Sequence, residues 1–185
     1  MFKSFIEKIT SLFSKVFAFG AGASMFSLFL IIFVNSIRRY AFGKSFEWGE
    51  ELPVFLAIYG VMFGIAWAYM NDQHVRFTIL VDFISEKFAK FLNMIVDLSM
   101  IATGSLLCYS GYQFAAKRGN IESSGMIGLA KDLVEATGIE SLIIFGKMFP
   151  YQLAISIGGV MLVIAALLRF LNRFFEKSED KVLEG

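Results

Sequence analysis

The chain has 185 residues, of which 57% are hydrophobic and only 18% charged. Soluble domains carry about 25% charged residues, so much of the outer surface of this chain has to face lipid. A net charge of +1 offers no attraction for nucleic acid. One histidine, His74, and one cysteine, Cys108, are too few for a disulfide, a zinc site or a membrane haem. No catalytic residue, cofactor or metal ligand is therefore expected, and the shortage argues against an enzyme.

The first element, residues 1–16, reads as an amphipathic helix. Phe2, Phe5, Ile6, Ile9, Leu12, Phe13 and Val16 recur at helical spacing, while Lys3, Glu7, Lys8 and Lys15 fill the opposite face. Such a helix lies in the membrane interface with its apolar side down. Ala21-Gly22-Ala23 resembles a signal-peptide cleavage site. That reading is set aside, because the apolar run before it is short and apolar sequence continues to Ile37.

A transmembrane helix needs about 20 mostly apolar residues. Four stretches meet this, at about 17–37, 52–70, 93–116 and 148–168. Each is expected to be helical, since an isolated strand leaves backbone groups unpaired in lipid. The predicted class is therefore an all-α integral membrane protein of four transmembrane helices plus the N-terminal interfacial helix. The membrane domain covers 17–170, and 171–185 forms a charged tail.

Between the spans, 71–90 places Ile79, Leu80, Phe83, Ile84, Phe88 and Phe91 on one helical face and reads as a second interfacial helix. Residues 117–147 hold several glycines and few apolar residues, which suggests a water-exposed excursion with an amphipathic turn at 129–134. More of the Lys and Arg residues fall on the side shared by the two ends of the chain, so both termini are expected to be cytoplasmic.

Within the second span, Ala57, Gly60, Gly64 and Ala68 share one face. Small residues let helix backbones approach closely in lipid, so these four are candidate contacts, either inside the chain or with a partner. Gly104, Cys108 and Gly111 form a similar face on the third span, and Gly158-Gly159 and Ala165-Ala166 mark the fourth.

The loop from Arg38 to Pro53 is dense in function-bearing residue types. Glu50 and Glu51 precede the predicted helix start, with Pro53 in its first turn, an arrangement that suits the helix dipole. Tyr40 and Trp48 suit the headgroup zone. Arg38 or Arg39 is placed to pair with Glu50 or Glu51. Adjacent carboxylates on a helix point about 100° apart, so the two glutamates do not converge as a catalytic pair. These residues read as caps and interface anchors rather than as a transport site.

Asp97 is the only acid near a span interior, and an intramembrane acid is a functional candidate by default. Its place near the helix start is expected to let it reach the interface, so that neutralising it has a mild effect. His74, after Asn71-Asp72-Gln73, reads as an interfacial hydrogen-bonding anchor.

Taken together, Asn35, Arg38-Arg39-Tyr40-Ala41-Phe42-Gly43-Lys44-Ser45, Trp48, Glu50-Glu51-Leu52, Gly60, Gly64 and His74-Val75-Arg76 resemble the small membrane subunit of TRAP transporters, the DctQ-like proteins. The likeness covers residues 17–92 in detail. Beyond that it holds as a pattern: a third span, a loop that is long for the family, and Pro150 leading into a fourth span.

The resemblance implies a bacterial inner-membrane protein that scaffolds a large subunit moving as an elevator. Sodium and substrate sites lie on that large subunit. A periplasmic binding protein delivers an organic acid, of the C4-dicarboxylate or sialic acid type, and membrane lipids fill the surroundings. The competing class is a stand-alone homo-oligomeric transporter or channel, which requires polar residues along a path at mid-span.

Overall fold

A computed structural model describes residues 2–71 and 86–183. Among these, helix α1 spans Phe2–Phe42, α2 Trp48–Met70, α3 Glu86–Arg118 and α4 Met126–Thr137. A 3-10 helix, η1, covers Glu140–Gly146, and α5 covers Phe149–Leu183. Helices α1, α2, α3 and α5 are each long and apolar enough to cross a membrane, so the chain is an all-α membrane protein with the four expected spans.

The boundaries differ from the sequence reading in instructive ways. Residues 1–16 are not a separate element: α1 runs from Phe2 through residues 21–23 to Phe42 without interruption. At 1.5 Å per residue this is about 60 Å, twice the hydrocarbon thickness. The N-terminal apolar stripe also divides. Ile6 and Phe17 are buried against the bundle, whereas Phe5, Leu12 and Val16 stay exposed. The expected interfacial helix at 71–90 falls mostly outside the described residues, as do His74 and Arg76; its last residues form the first turn of α3. Helix α5 also continues past residue 170 into the charged tail, as far as Leu183.

The four spans form an open row rather than a closed square. Helix α5 packs against α3, α2 and α1; α1 packs mainly on α2, and α3 mainly on α5. Helix α5 is accordingly the most deeply buried span. The α1–α2 turn and the segment 119–148 lie at one end, called here the hairpin end. The N-terminal turns of α1 and the C-terminal half of α5 meet at the other, where Asn172 Nδ2 donates to Thr10 Oγ1 at 3.3 Å. This is the terminal end. A core of Phe17, Ala66, Tyr69, Met70, Ala165 and Ala166 sits towards it.

Small residues bring α3 and α5 together. A Cβ added at Gly111 would stand 2.6 Å from the backbone nitrogen of Ser156, and one at Gly104 would be 3.0 Å from the carbonyl oxygen of Gly159. Ser156 Oγ donates to the Cys108 carbonyl at 2.9 Å. The face made by Gly104, Cys108 and Gly111 is therefore an internal helix contact.

Candidate functional site

The family-like loop is a compact knot at the hairpin end. Helix α1 stops at Gly43, whose φ of 67° is a left-handed conformation that glycine adopts without penalty; its N–H donates to the Arg39 carbonyl at 3.0 Å. The side chain of Asn35 then accepts from the Phe46 N–H at 2.7 Å. Gly49 makes this possible, since a Cβ there would lie 2.7 Å from Asn35 Cγ.

Arg38 does not pair with either glutamate. Its guanidinium lies 3.5 Å above the centre of the Phe46 ring, and Phe46 stacks on Trp48 with ring centres 5.0 Å apart. Such stacking is available to arginine because its planar cation is weakly hydrated. Arg39 leans over Tyr40 instead, and Tyr40 is 85% exposed.

Helix α2 starts at Trp48, so Glu50 and Glu51 occupy its first turn and Pro53 the second. Proline lacks an N–H to return to the carbonyl of Gly49, so this turn of α2 forgoes one intrahelical hydrogen bond. Glu50 accepts from Ser45 Oγ at 2.9 Å. Glu51 accepts from Ser123 and, at 2.6 Å, from Ser124. It thus clasps the distant 119–148 segment onto the start of α2. The two serines are the partners that the sequence reading missed, since nothing in their local pattern marks them.

That segment is folded: the amphipathic turn expected at 129–134 lies within α4. Its two strands of backbone close on each other: Ser123 N–H donates to the Gly146 carbonyl at 2.9 Å, Met148 to Ile121 at 2.9 Å and Phe149 to Gly119 at 3.0 Å. Between them α4 and η1 pack together, with Met126, Ala130 and Gly146 buried. Tyr151 anchors the result by donating to the Phe145 carbonyl at 2.6 Å and stacking on Phe55.

A second polar cluster lies at the terminal end. Asp97 has 0% exposure, which corrects the expectation that it reaches the interface. Tyr69 OH donates to one carboxylate oxygen, and Arg173 Nη1 reaches the other at 2.7 Å. Arg173 also donates to the Asn93 carbonyl at 3.0 Å, and Arg169 to the Tyr69 carbonyl at 2.6 Å.

Counted from the hairpin end, Tyr69, Asp97 and Arg169 each lie about 30 Å down their helices at 1.5 Å per residue. The cluster therefore lies at one level across the three helices, enclosed by protein. Both carboxylate oxygens are occupied, so the arrangement works as a clamp joining α2, α3 and α5.

The stripe on α2 divides in two. A Cβ at Gly60 would meet Met25 Cε of α1 at 2.7 Å, whereas one at Gly64 meets nothing within 4 Å. Ala57 and Ala68 are half-buried. Gly60 is thus an internal α1–α2 contact, and Gly64 opens outward.

Comparison with known sequences agrees with this picture. The family described as "Tripartite ATP-independent periplasmic transporters, DctQ component" matches residues 28–176. A Haemophilus influenzae protein named as the sialic acid TRAP transporter permease SiaT is 30% identical over 49% of this chain and 15% of its own length. Two H. influenzae proteins named as TRAP transporter small permeases are 29% identical over 43% of this chain and 47% of their counterpart, and 20% identical over 57% and 64%. Each match spans less than two thirds of the relative's own length. The matched region includes the Asn35–Glu51 knot, the Asp97 clamp, the later part of the first span and the whole of the other three, and on that ground the chain belongs to the DctQ-component family, the small permease subunits of TRAP transporters.

Proposed function

We propose that this chain is the stationary scaffold of its transporter. In this reading it braces a large membrane subunit whose elevator motion carries an organic acid, with sodium, across the bacterial inner membrane. A periplasmic binding protein delivers the substrate, and both termini of this chain face the cytoplasm. One relative is named for sialic acid, which puts that compound first among the organic acids to test, ahead of C4-dicarboxylates.

The observation that carries this reading is the open row of helices. It leaves the flanks of α1 and α3 and the outward side of α2 at Gly64 without cover from the described residues. Asp97, the buried acid among the described residues, is paired within the chain to Arg173. A protein whose buried acid is paired internally and whose apolar flanks are uncovered is suited to holding another membrane protein, where packing drives association.

The test is a mild-detergent pull-down of the tagged chain, with partners identified by mass spectrometry. Recovery of one large polytopic partner in equal amount supports the scaffold. Gly64→Leu is then expected to reduce that recovery at least severalfold while the purified chain keeps its thermal stability. Substrate flux from the chain alone in vesicles would overturn the proposal in favour of a homo-oligomeric transporter.

A further inference from the structure

The segment between α3 and α5 carries an apolar surface that the chain does not use. Ile121 is 54% exposed, Ile139 52%, Ile144 41% and Phe145 46%. Residues 141–146, Ser-Leu-Ile-Ile-Phe-Gly, hold no charge and are flanked by Glu140 and Lys147. The other side of the cap is polar: Lys131, Asp132 and Glu135 on α4 are exposed to solvent.

The depth of this surface is fixed by hydrogen bonds. Phe145 lies one helical turn before Phe149, where α5 begins, and its carbonyl is held by Tyr151 OH at 2.6 Å. Ile121 is paired through its carbonyl to Met148 at 2.9 Å. The Glu51 clasp fixes the same segment to the start of α2, beside the Phe46–Trp48 stack. The exposed apolar side chains therefore stand at the level where two spans enter the bilayer. Aliphatic side chains at that depth partition into the boundary between headgroups and acyl chains. Binding hot spots between proteins are instead enriched in Trp, Tyr and Arg, and Ile121, Ile139, Ile144 and Phe145 include none of these.

We infer that η1, with Ile121 and Ile139, is a shallow membrane anchor: it lies in the lipid interface at the hairpin end while α4 turns its charges to water. The inference rests on the membrane-spanning fold and is independent of the scaffold reading.

The experiment uses the full chain with its large subunit in nanodiscs of phosphatidylethanolamine and phosphatidylglycerol. In a Cys108→Ser background, single cysteines carry spin labels at positions 139, 144, 145, 132 and 135, and collision with oxygen is compared with collision with a water-soluble nickel chelate. Severalfold higher oxygen-to-nickel ratios at 139, 144 and 145 than at 132 and 135 are expected. Nickel access at all five positions would overturn the anchor in favour of a water-exposed cap. Protection of 139, 144 and 145 from both reagents would overturn it in favour of a covering protein. An unmodified chain is also exposed to a diazirine-bearing phospholipid. Labelling within 139–148 is expected, and labelling confined to the spans would equally overturn the inference.

Discussion

A carboxylate with no exposed surface destabilises a protein unless both of its oxygens are occupied, and Asp97 meets that condition only through two other helices. Tyr69 comes from α2 and Arg173 from α5. Asp97→Ala removes the carboxylate partner of Arg173 and is expected to cost about 3 kcal/mol, the low end for a broken buried pair, because Arg173 keeps the Asn93 carbonyl and some solvent access. Circular dichroism melting in detergent checks this. Combining Asp97→Leu with Arg173→Met is expected to restore most of the lost melting temperature, since replacing both partners removes the uncompensated charge. A pair essential for coupled transport would instead leave the double variant stable and inactive.

The acid itself was legible in the sequence as the one charge near a span interior. Its burial was not, because the partner Arg173 lies in a stretch whose charge density reads as a solvated tail. The same limit applies to Asn35. Its place beside the family-like loop was visible, but its hydrogen bond to Phe46 depends on how the chain turns at Gly43.

Helices in lipid associate through close backbone contact, so glycines that look alike in sequence differ sharply once their neighbours are known. Gly159 stands against the backbone of Cys108 and Gly104, where nothing can yield, while Gly64 has open space. Gly159→Ala is expected to push α3 from α5 and lower stability by about 1–3 kcal/mol, as overpacking does. Gly64→Ala is expected to leave the melting temperature unchanged. Parallel melts of the two variants separate these outcomes.

The spans were legible at this scale because length and hydropathy are local. Two element boundaries were not. The change from amphipathic to fully apolar sequence near residue 17 reads as a break, yet helical hydrogen bonding passes through it undisturbed. The 117–147 segment reads as a water-exposed excursion with one amphipathic turn because its apolar density is low. It folds because its two backbone ends pair with each other and with Glu51, contacts that no local pattern announces.

At the scale of the molecule, the hairpin end is held by the clasp and the terminal end by the clamp. Glu51→Ala removes two hydroxyl–carboxylate hydrogen bonds, each worth about 1–3 kcal/mol when one partner is charged. The cap should then open more often without global unfolding. Hydrogen exchange across 126–146 is expected to accelerate at least roughly tenfold while exchange in α2 and α3 is unchanged. Equal acceleration everywhere would mean that the clasp supports the whole fold and not the cap alone.

The central place of α5 also bears on how the protein is made. Helix α3 packs mainly on α5, and the Asp97 carboxylate has no cationic partner until Arg173 is in place. During synthesis α1 and α2 can pair as soon as both are inserted, but α3 enters the bilayer with its glycine face and its acid unsatisfied. A nascent chain halted before residue 149 therefore presents a carboxylate without its arginine to the insertion and quality-control machinery. The last span to emerge is the one that completes the other three.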